Sequence, residues 1–358
     1  MIFPFKEKDS WGMINENGEI VISPIFERLS DFAEGYALGR MNEKWFYINK
    51  RGKVVKKFNV DWMYLFNEGM ARINLCGCIG YINQKFKVVI EPMYGMSSSD
   101  FSDGFAAVSS PMGDTEGLYG YININGQQVI DLKYSNARKF SEGLGVVSID
   151  DKVGAINKND ELIISAKYDW LNDFKEGRAF FKKDNIWGIV DNQGNEIVKA
   201  TFKDDDEDYP DHYEDQSFNE GFALVYRNKK FGYIDVNGYM ATDIIYDYAV
   251  PFSEGVASVR LGNRCFILDK NFNTIAEPNC EFGEVFHDGM AEIYKNGKWG
   301  FVNKNGDVVI EPKYEYVSVF CDGVVAAIQN GKFVYIDKSG KEFFRAKMVC
   351  ERPYYNYM

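Results

Sequence analysis

Short runs of apolar residues, separated by turn-forming residues, recur along this chain. In the clearest copy the runs are residues 299–302, 308–310 and 324–328. Lys304-Asn305-Gly306 lies between the first two, and Asn-Gly tolerates the positive φ that a tight hairpin needs. No segment has apolar residues at helical spacing without an intervening Gly or Pro. The pattern predicts an all-β fold with three short antiparallel strands in each unit.

A four-residue motif, Phe-x-Asp/Glu-Gly, marks each unit. It occurs nine times, at residues 32–35, 66–69, 101–104, 140–143, 174–177, 218–221, 252–255, 286–289 and 320–323. Successive motif glycines are 34, 35, 39, 34, 44, 34, 34 and 34 residues apart. A fixed period of this length indicates a repeat protein, because one such unit cannot bury its own apolar face and must stack on its neighbours.

The predicted architecture is a single domain over residues 1–358, with about nine and a half units of 34 residues. Residues 1–8 form an N-terminal strand or cap, 9–331 hold nine repeats, and 332–358 form a partial repeat and a C-terminal cap. We expect the units to stack as an open solenoid or superhelix. The expected core positions are, in the clearest copy, Trp299, Phe301, Val309, Tyr314, Phe320 and Val325.

A closed, propeller-like ring is the alternative architecture. Propeller blades normally have four strands and forty or more residues, which argues against it. However, residues 1–8 resemble a strand that arrives before Trp11, and that strand could latch onto the last unit.

The copies differ in ways that predict local structure. The second residue of the first apolar run, which is Gly300 in the clearest copy, is glycine in seven units. In three others it is Phe46, Phe266 or Val334. A strand glycine usually indicates a bulge or a close backbone approach, so these three units are expected to be twisted or spread differently. Proline often follows the second run, as at Pro312, and is expected to end that strand because it has no N–H to donate.

The units resemble the bacterial WG-repeat family, also called KWG repeats. The resemblance rests on Lys298-Trp299-Gly300-Phe301-Val302-Asn303, Asn305-Gly306, Ile310-Glu311-Pro312, Tyr314 and residues 320–323. It extends over nearly the whole chain. The resemblance implies a β-rich bacterial module that mediates interactions, and it offers no catalytic residue to carry over.

The charge and the cysteines narrow the classes of function. A formal net charge of −12 argues against the basic face that a nucleic-acid backbone requires. The start of the chain lacks a signal peptide and no apolar run is long enough to span a membrane, so a cytoplasmic location is expected. Six cysteines at unrelated repeat positions indicate reduced core thiols rather than a disulfide framework or a zinc site.

One carboxylate recurs in every four-residue motif. These acids are Glu34, Glu68, Asp103, Glu142, Glu176, Glu220, Glu254, Asp288 and Asp322. They could form a ladder of cation sites, but calcium needs six to eight oxygens and one carboxylate per unit supplies few of them. The favoured interpretation is that each acid accepts backbone N–H groups at its turn while the phenylalanine anchors the loop in the core.

Two insertions lengthen the units, near residues 109–117 and within 203–217, and insertions in repeat proteins often lie on a binding face. The second is strongly acidic and is the predicted partner-binding site. Its proposed contact residues are Asp204, Asp205, Asp206, Glu207, Asp208, Tyr209, His212 and Tyr213. The acids would attract a basic protein, and the aromatic residues would add apolar contact. A solvated loop is the alternative interpretation.

Material for catalysis is scarce. His212 and His287 are the only histidines, so a Ser-His-Asp or Cys-His arrangement has little to draw on. Cys76-Gly77-Cys78 lacks Cys-x-x-Cys spacing, and no phosphate-binding glycine loop is present. We expect no enzyme, no cofactor and no bound metal.

The expected function is a non-catalytic protein-interaction scaffold. A carbohydrate-binding or cell-envelope-binding module is the alternative, because exposed aromatic residues such as Tyr354 and Tyr355 can stack on sugar rings.

Overall fold

The structure of the chain is a computed structural model that describes residues 2–111, 117–203 and 216–348. These ranges contain strands, turns and bends, and no helix. The strands form ten small antiparallel sheets, which are numbered here in chain order. The all-β repeat fold predicted from the sequence is therefore confirmed.

Sheets 1 to 5 lie in the first half of the chain. Their strands are β1 (Ile2–Glu7), β2 (Ser10–Asn15) and β3 (Ile20–Phe26) in sheet 1; β4 (Arg28–Leu29), β5 (Tyr36–Met41), β6 (Lys44–Asn49) and β7 (Val54–Phe58) in sheet 2; β8 (Trp62–Met63), β9 (Met70–Leu75), β10 (Cys78–Asn83) and β11 (Val88–Tyr94) in sheet 3; β12 (Phe105–Ser109), β13 (Tyr119–Asn123) and β14 (Gln128–Tyr134) in sheet 4; and β15 (Asn136–Ser141), β16 (Leu144–Ile149), β17 (Lys152–Ile156) and β18 (Leu162–Tyr168) in sheet 5.

Sheets 6 to 10 follow the same plan. Their strands are β19 (Trp170–Leu171), β20 (Arg178–Lys183), β21 (Ile186–Asp191) and β22 (Glu196–Lys203) in sheet 6; β23 (Phe222–Arg227) and β24 (Lys230–Asp235) in sheet 7; β25 (Tyr248–Ala249), β26 (Val256–Leu261), β27 (Arg264–Asp269) and β28 (Thr274–Ala276) in sheet 8; β29 (Phe282–Gly283), β30 (Met290–Lys295), β31 (Lys298–Asn303) and β32 (Val308–Tyr314) in sheet 9; and β33 (Tyr316–Val317), β34 (Val324–Gln329), β35 (Lys332–Asp337) and β36 (Glu342–Arg345) in sheet 10.

The three predicted strands of each unit are present, and most sheets add a short fourth strand. In sheet 10 this strand is β33, in which Tyr316 pairs with Ile328 of β34. A two-residue strand has no apolar alternation, so the sequence pattern gave no sign of it. Each sheet combines the last strand of one predicted unit with the first two strands of the next.

The glycine of the Trp-Gly pair allows a bulge in the neighbouring edge strand. Trp299 pairs with Tyr314 and Phe301 with Ile310, so the edge strand bulges opposite Gly300. A Cβ on Gly300 would lie 2.4 Å from the carbonyl oxygen of Ile310, which is closer than real Cβ atoms come.

Proline lies inside this bulge rather than at a strand end. Pro312 is within β32, so the prediction that proline ends the strand is wrong. Its missing N–H falls where the edge strand is out of register with its neighbour, and no ladder hydrogen bond is lost.

The three units without this glycine pair differently. In sheet 2, Phe46 pairs with Lys57 and Tyr47 with Lys56, and the wide bulge is absent. The sheets that carry Phe266 and Val334 likewise have a single register shift, near the hairpin. Glycine and non-glycine units therefore differ in strand pairing, and the predicted difference in twist or spread stays a prediction.

The core lies between consecutive sheets. Four of the six predicted core residues are buried in the cluster that joins sheets 9 and 10: Phe301, Tyr314, Phe320 and Val325. Trp299 is half-buried at the edge of that cluster. The prediction for Val309 is wrong, because its side chain is 36% exposed and the adjacent Ile310 faces the core instead.

The described residues form two compact units. Unit one contains residues 2–29 and 218–348, and unit two contains 30–203 with 216–217. In unit two, apolar clusters join sheet 2 to sheet 3, sheet 3 to sheet 4, sheet 4 to sheet 5, and sheet 5 to sheet 6. In unit one, similar clusters join sheets 7 to 10 in order.

Sheet 1 packs against sheet 10 in unit one. The Phe5 ring lies edge-on to Phe344 with 4.7 Å between centroids, and the Tyr335 hydroxyl donates to the carbonyl oxygen of Pro4 at 2.7 Å. Consecutive sheets share this bond elsewhere: Tyr47, Tyr81, Tyr121 and Tyr233 each donate at 2.7 Å to a carbonyl 17 or 18 residues further on. Sheet 1 thus packs against sheet 10 in the way that a following repeat packs elsewhere.

Removing the Phe5 ring should destabilise the last sheet as well as the first. Phe5 is fully buried, and replacing a buried phenylalanine with alanine costs about 3–5 kcal/mol. We expect Phe5→Ala to speed amide hydrogen exchange in β35 and β36, measured by mass spectrometry. Phe174→Ala is the control, because it removes an equally buried ring from unit two and should act on sheets 5 and 6. Unchanged exchange in β35 of Phe5→Ala would show that sheet 1 does not support sheet 10.

Candidate functional site

The predicted partner-binding residues 204–213 lie outside the described residues. The acidic insertion follows β22, which ends at Lys203, and the chain is described again from Gln216. The carbonyl oxygen of Gln216 accepts a hydrogen bond from Asn172 Nδ2 at 2.8 Å. The predicted role of this insertion stays a prediction.

The acid of most four-residue motifs bonds to the motif of the next repeat. Glu68 accepts hydrogen bonds from the backbone N–H groups of Asp103 and Gly104, both at 2.8 Å. Six others each accept from the motif glycine of the next repeat at 2.6–3.0 Å: Glu34, Asp103, Glu142, Glu220, Glu254 and Asp288. The interpretation of these acids as acceptors of backbone N–H is confirmed, with the correction that the amides belong to the neighbouring turn.

In unit one, lysine side chains form ion pairs with several of these motif carboxylates. Lys304 Nζ lies 3.1 Å from Glu254 Oε2, and Lys338 Nζ lies 2.6 Å from Asp288 Oδ1. The Lys338 ammonium group holds the pKa of Asp288 below its usual value, against a smaller opposing effect of burial. Throughout the residues that the structure covers, no group of three or more potential metal ligands converges. The motif acids therefore connect repeats rather than forming a cluster that could hold a cation.

In three repeats, a lysine at the position before the Trp-Gly pair or its equivalent bonds to the next sheet. Lys298 Nζ lies 3.2 Å from Glu315 Oε1, and Glu315 also accepts from the backbone N–H groups of Asn330 and Gly331, both at 3.0 Å. Lys152 contacts Asp169 in the same way, and this contact lowers the pKa of the Asp169 carboxyl. The lysine of the motif thus has a structural role between sheets.

A row of exposed apolar side chains follows the edge strands. In unit two this outer apolar row consists of Val54, Val88, Val89, Val129, Leu162 and Ile163, which are 36–47% exposed. They lie at two adjacent positions on β7, β11, β14 and β18, each of which is an edge strand of its sheet. Val54, Val88 and Leu162 share the first position, and Val89, Val129 and Ile163 share the second. Val309 and Ile275 hold equivalent exposed positions in unit one. Val309 therefore lies at a position of the repeat that is exposed in other units as well, and not in the core.

The cysteines fall into two groups. Cys76 and Cys321 are exposed and lie in turns, so the prediction of core thiols is wrong for them. Cys265 and Cys280 are buried, and Cys265 Sγ donates to the carbonyl oxygen of Cys280 at 3.2 Å. His287 is exposed at its turn, as expected of a surface substituent.

One carboxyl group is buried away from these networks. Glu292, on β30, is 7% exposed. Burial raises its pKa to about 7, and the nearby Glu284 carboxylate adds to this effect. Its burial could not be predicted from the sequence, because this strand position carries leucine, arginine, alanine, valine, phenylalanine or serine in other repeats.

Comparison with known families identifies the repeat. The sequence profile described as a WG containing repeat matches residues 11–45, 45–75, 79–110, 119–152, 154–185, 231–265, 267–299 and 299–333. These matches cover more than half of the chain. A search of curated protein sequences finds no match.

Solved structures share the fold at low sequence identity. The chain is similar to the crystal structure of a eukaryotic initiation factor, with a TM-score of 0.57, 11% identity, and coverage of 98% of this chain and 96% of that one. Weaker likenesses include dihydro-heme d1 dehydrogenase NirN, with a TM-score of 0.42, 10% identity and coverage of 86% and 72%. Another is Hsv2 of Kluyvelomyces marxianus, with a TM-score of 0.40, 10% identity and coverage of 65% and 88%. The first likeness shows a common fold alone, and the weaker two support no argument.

Along residues 2–111, 117–203 and 216–348, no helix is long and apolar enough to cross a membrane.

Neutralising Glu68 should weaken the link between sheets 3 and 4. Glu68→Gln replaces a carboxylate that accepts two backbone hydrogen bonds with a neutral amide. We expect the free energy of unfolding to fall by about 1–3 kcal/mol. Asp322→Asn is the matched control, because the Asp322 carboxylate has the same motif position but no hydrogen-bond partner in the described residues. Both variants can be compared by urea unfolding. A calcium-dependent rise in melting temperature that Glu68→Gln abolishes would contradict the backbone-acceptor interpretation.

Glu292 should make the protein less stable as the pH rises. Its pKa is about 7 in the folded chain, against an ordinary value of 4.5. Between these values the folded state keeps a proton that the unfolded state has lost, so the free energy of unfolding falls as pH rises from 4.5 to 7 and stays lowered above 7. The loss is at most about 3 kcal/mol.

Glu292→Gln should remove this part of the pH dependence, because glutamine does not titrate. The test is urea unfolding at pH 5, 6, 7 and 8, with exposed Glu311→Gln as the control. Parallel profiles for Glu292→Gln and the unmodified protein would show that Glu292 is ionised in the folded state at low pH.

Proposed function

Because this chain belongs to the WG-repeat family, we propose that it acts as a non-catalytic protein-interaction scaffold. The main support is the outer apolar row, which places exposed valine, leucine and isoleucine side chains at two adjacent positions of the edge strand in several repeats. Scattered exposed apolar residues are ordinary, but contiguous apolar surface with polar flanks is typical of an interaction site.

The position of the row suits a protein partner. It lies on edge strands, whose outer backbone N–H and C=O groups can pair with another chain. Val88 and Val89 follow Lys87 and precede the exposed Glu91, so the apolar contact has charged neighbours. A partner with an exposed strand and an apolar face would bury these side chains and complete the sheet edge.

The acidic insertion adds a second proposed contact. In the scaffold interpretation, residues 204–213 attract a basic partner and the outer apolar row holds it. Attraction by the eight acids of residues 204–215 should weaken as salt is added, because the screening length falls to about 8 Å at physiological ionic strength. A cytoplasmic location remains part of this proposal.

A carbohydrate-binding function is the second candidate, and one observation favours it. Tyr239 is 72% exposed, and its ring could stack on a sugar. A glycan array separates the candidates: binding that is lost in Tyr239→Ala would support the carbohydrate function, and an array without signal would leave the protein partner as the remaining proposal.

The scaffold proposal predicts that charge in the outer apolar row abolishes binding. Affinity purification from the native cell and mass spectrometry would first identify a partner, which is then purified and titrated against variants. We expect the double variant Val89→Lys/Val129→Lys to weaken binding at least tenfold, because burying a lysine is costly. Leu75→Lys is the control, since Leu75 is similarly exposed at 41% but lies outside the row.

A third variant tests the insertion. Replacing residues 204–213 by a short Gly/Ser link should leave folding intact and reduce affinity mainly at low salt. If the partner binds all three variants as it binds the unmodified protein, neither surface is the binding site and the placement of the scaffold contact is wrong.

A further inference from the structure

Sheet 8 departs from the repeat at two facing positions. In sheet 9 the corresponding residues are aromatic, and Trp299 pairs with Tyr314. In sheet 8 they are Cys265 and Cys280, at the same separation of 15 residues. Two small thiols thus stand where neighbouring repeats place two rings, and less side-chain volume fills this point.

The same replacement changes the surroundings of Arg260. In several sheets a cation at this position lies over the aromatic ring, as Arg40 lies 5.7 Å from the Trp45 ring centroid and Lys182 lies 5.4 Å from that of Trp187. Arg260 pairs instead with Cys265. Its guanidinium makes no hydrogen bond or ion pair with any described residue, and its Nε is buried without an acceptor.

A cleft of about 390 Å³ opens at this place, between sheets 8 and 9. Arg260 and Asn263 line it from sheet 8, and Asn279, Lys295 and Asn296 line it from sheet 9 or the segment that leads into it. Like Arg260, Lys295 has no ion pair among the described side chains. Two cations without an ion pair among the described residues therefore line one cleft, in a chain whose formal net charge is −12.

The nearby acids are already engaged. Glu281 also lines the cleft, and its Oε1 accepts the backbone N–H of Asn296 at 2.9 Å. Asp247 accepts hydrogen bonds from Lys230 and from the backbone N–H of Gly262. These bonds lower the pKa of the Asp247 carboxyl, and the nearby charge of Arg260 adds a small further lowering. Neither acid forms an ion pair with Arg260 or Lys295.

The repeat does not impose this pair of cations. The positions that correspond to Arg260 and Lys295 are Arg40 and Leu75 between sheets 2 and 3, Tyr226 and Leu261 between sheets 7 and 8, and Tyr294 and Gln329 between sheets 9 and 10. None of these combinations brings two cations together. Lys182 and Arg227 hold the same two positions, but Lys182 lies over the Trp187 ring, 5.4 Å from its centroid, whereas Arg260 pairs with a cysteine in place of that ring. Arg260 and Lys295 therefore differ from the other copies in that the stacking ring is absent.

We propose that this cleft binds the phosphate group of a small phosphorylated molecule. A guanidinium fork and an ammonium group together match the charge and the oxygens of a phosphate dianion. The amide groups of Asn263, Asn279 and Asn296 supply further donors at the rim. The volume lies at the lower end of the range for small-molecule sites, which favours a compact ligand. This site is distinct from the outer apolar row.

The test is a titration with inorganic phosphate at pH 7.5 and constant ionic strength, followed by NMR or calorimetry. We expect saturable binding that Arg260→Gln and Lys295→Gln each weaken at least tenfold. Cys280→Tyr restores the residue of the other repeats, fills the cleft and should abolish binding. Arg40→Gln, at the equivalent position without a second cation, should bind phosphate as the unmodified protein does.

Two outcomes would overturn the proposal. The first is an absence of saturable phosphate binding, or binding that is unchanged in Arg260→Gln and Lys295→Gln. The second is equally tight binding of malonate, which would show that the cleft does not select phosphate over carboxylates. Melting temperatures of all variants establish that they are folded, and Lys295→Gln decides the matter should Cys280→Tyr fail to fold.

Discussion

A carboxylate that reaches from one turn to the next is the interaction on which the stacking of the sheets depends. The motif turn is a tight one, in which Glu68 and Gly69 both have positive φ (51° and 76°). An acid of the preceding repeat accepts the backbone N–H groups of this turn, which links consecutive sheets. A lysine such as Lys298 makes a second link, and a buried tyrosine hydroxyl such as that of Tyr47 makes a third. Three kinds of polar bond between consecutive sheets restrict the sliding of one sheet on another.

Much of this fold could be predicted because it rests on local chemistry that repeats. The repeat period and the Asn-Gly turns were enough to predict the hairpins and the stacking of the sheets. The hairpins carry a further local signal: an Asn or Asp precedes each of these loops, and Asn303 Oδ1 accepts the backbone N–H groups of Asn305 and Asp307, both at 3.0 Å. The short fourth strands could not be predicted, because two residues carry no pattern.

The errors have a common origin in the way the edge strand pairs with its neighbour. Apolar alternation alone would let either Val309 or Ile310 face the core, and the register shift beside the hairpin, between Phe301 and Val302, places Ile310 opposite the buried Phe301. The bulge opposite Gly300 carries Pro312 inside its strand. Both outcomes depend on how two strands pair, and a run of residues read along one strand does not contain that information. The buried Glu292 likewise depends on packing between sheets.

The repeat itself provides the standard against which functional residues can be recognised. A feature that recurs at every unit, such as the outer apolar row, suits an extended partner that touches several sheets. A feature that occurs once suits one compact ligand. At sheet 8 the stacking ring is replaced by Cys265, and the cation that would lie over that ring is left without it. Arg260 and Lys295 then line a cleft without an ion pair among the described residues, so both cations are available to a ligand.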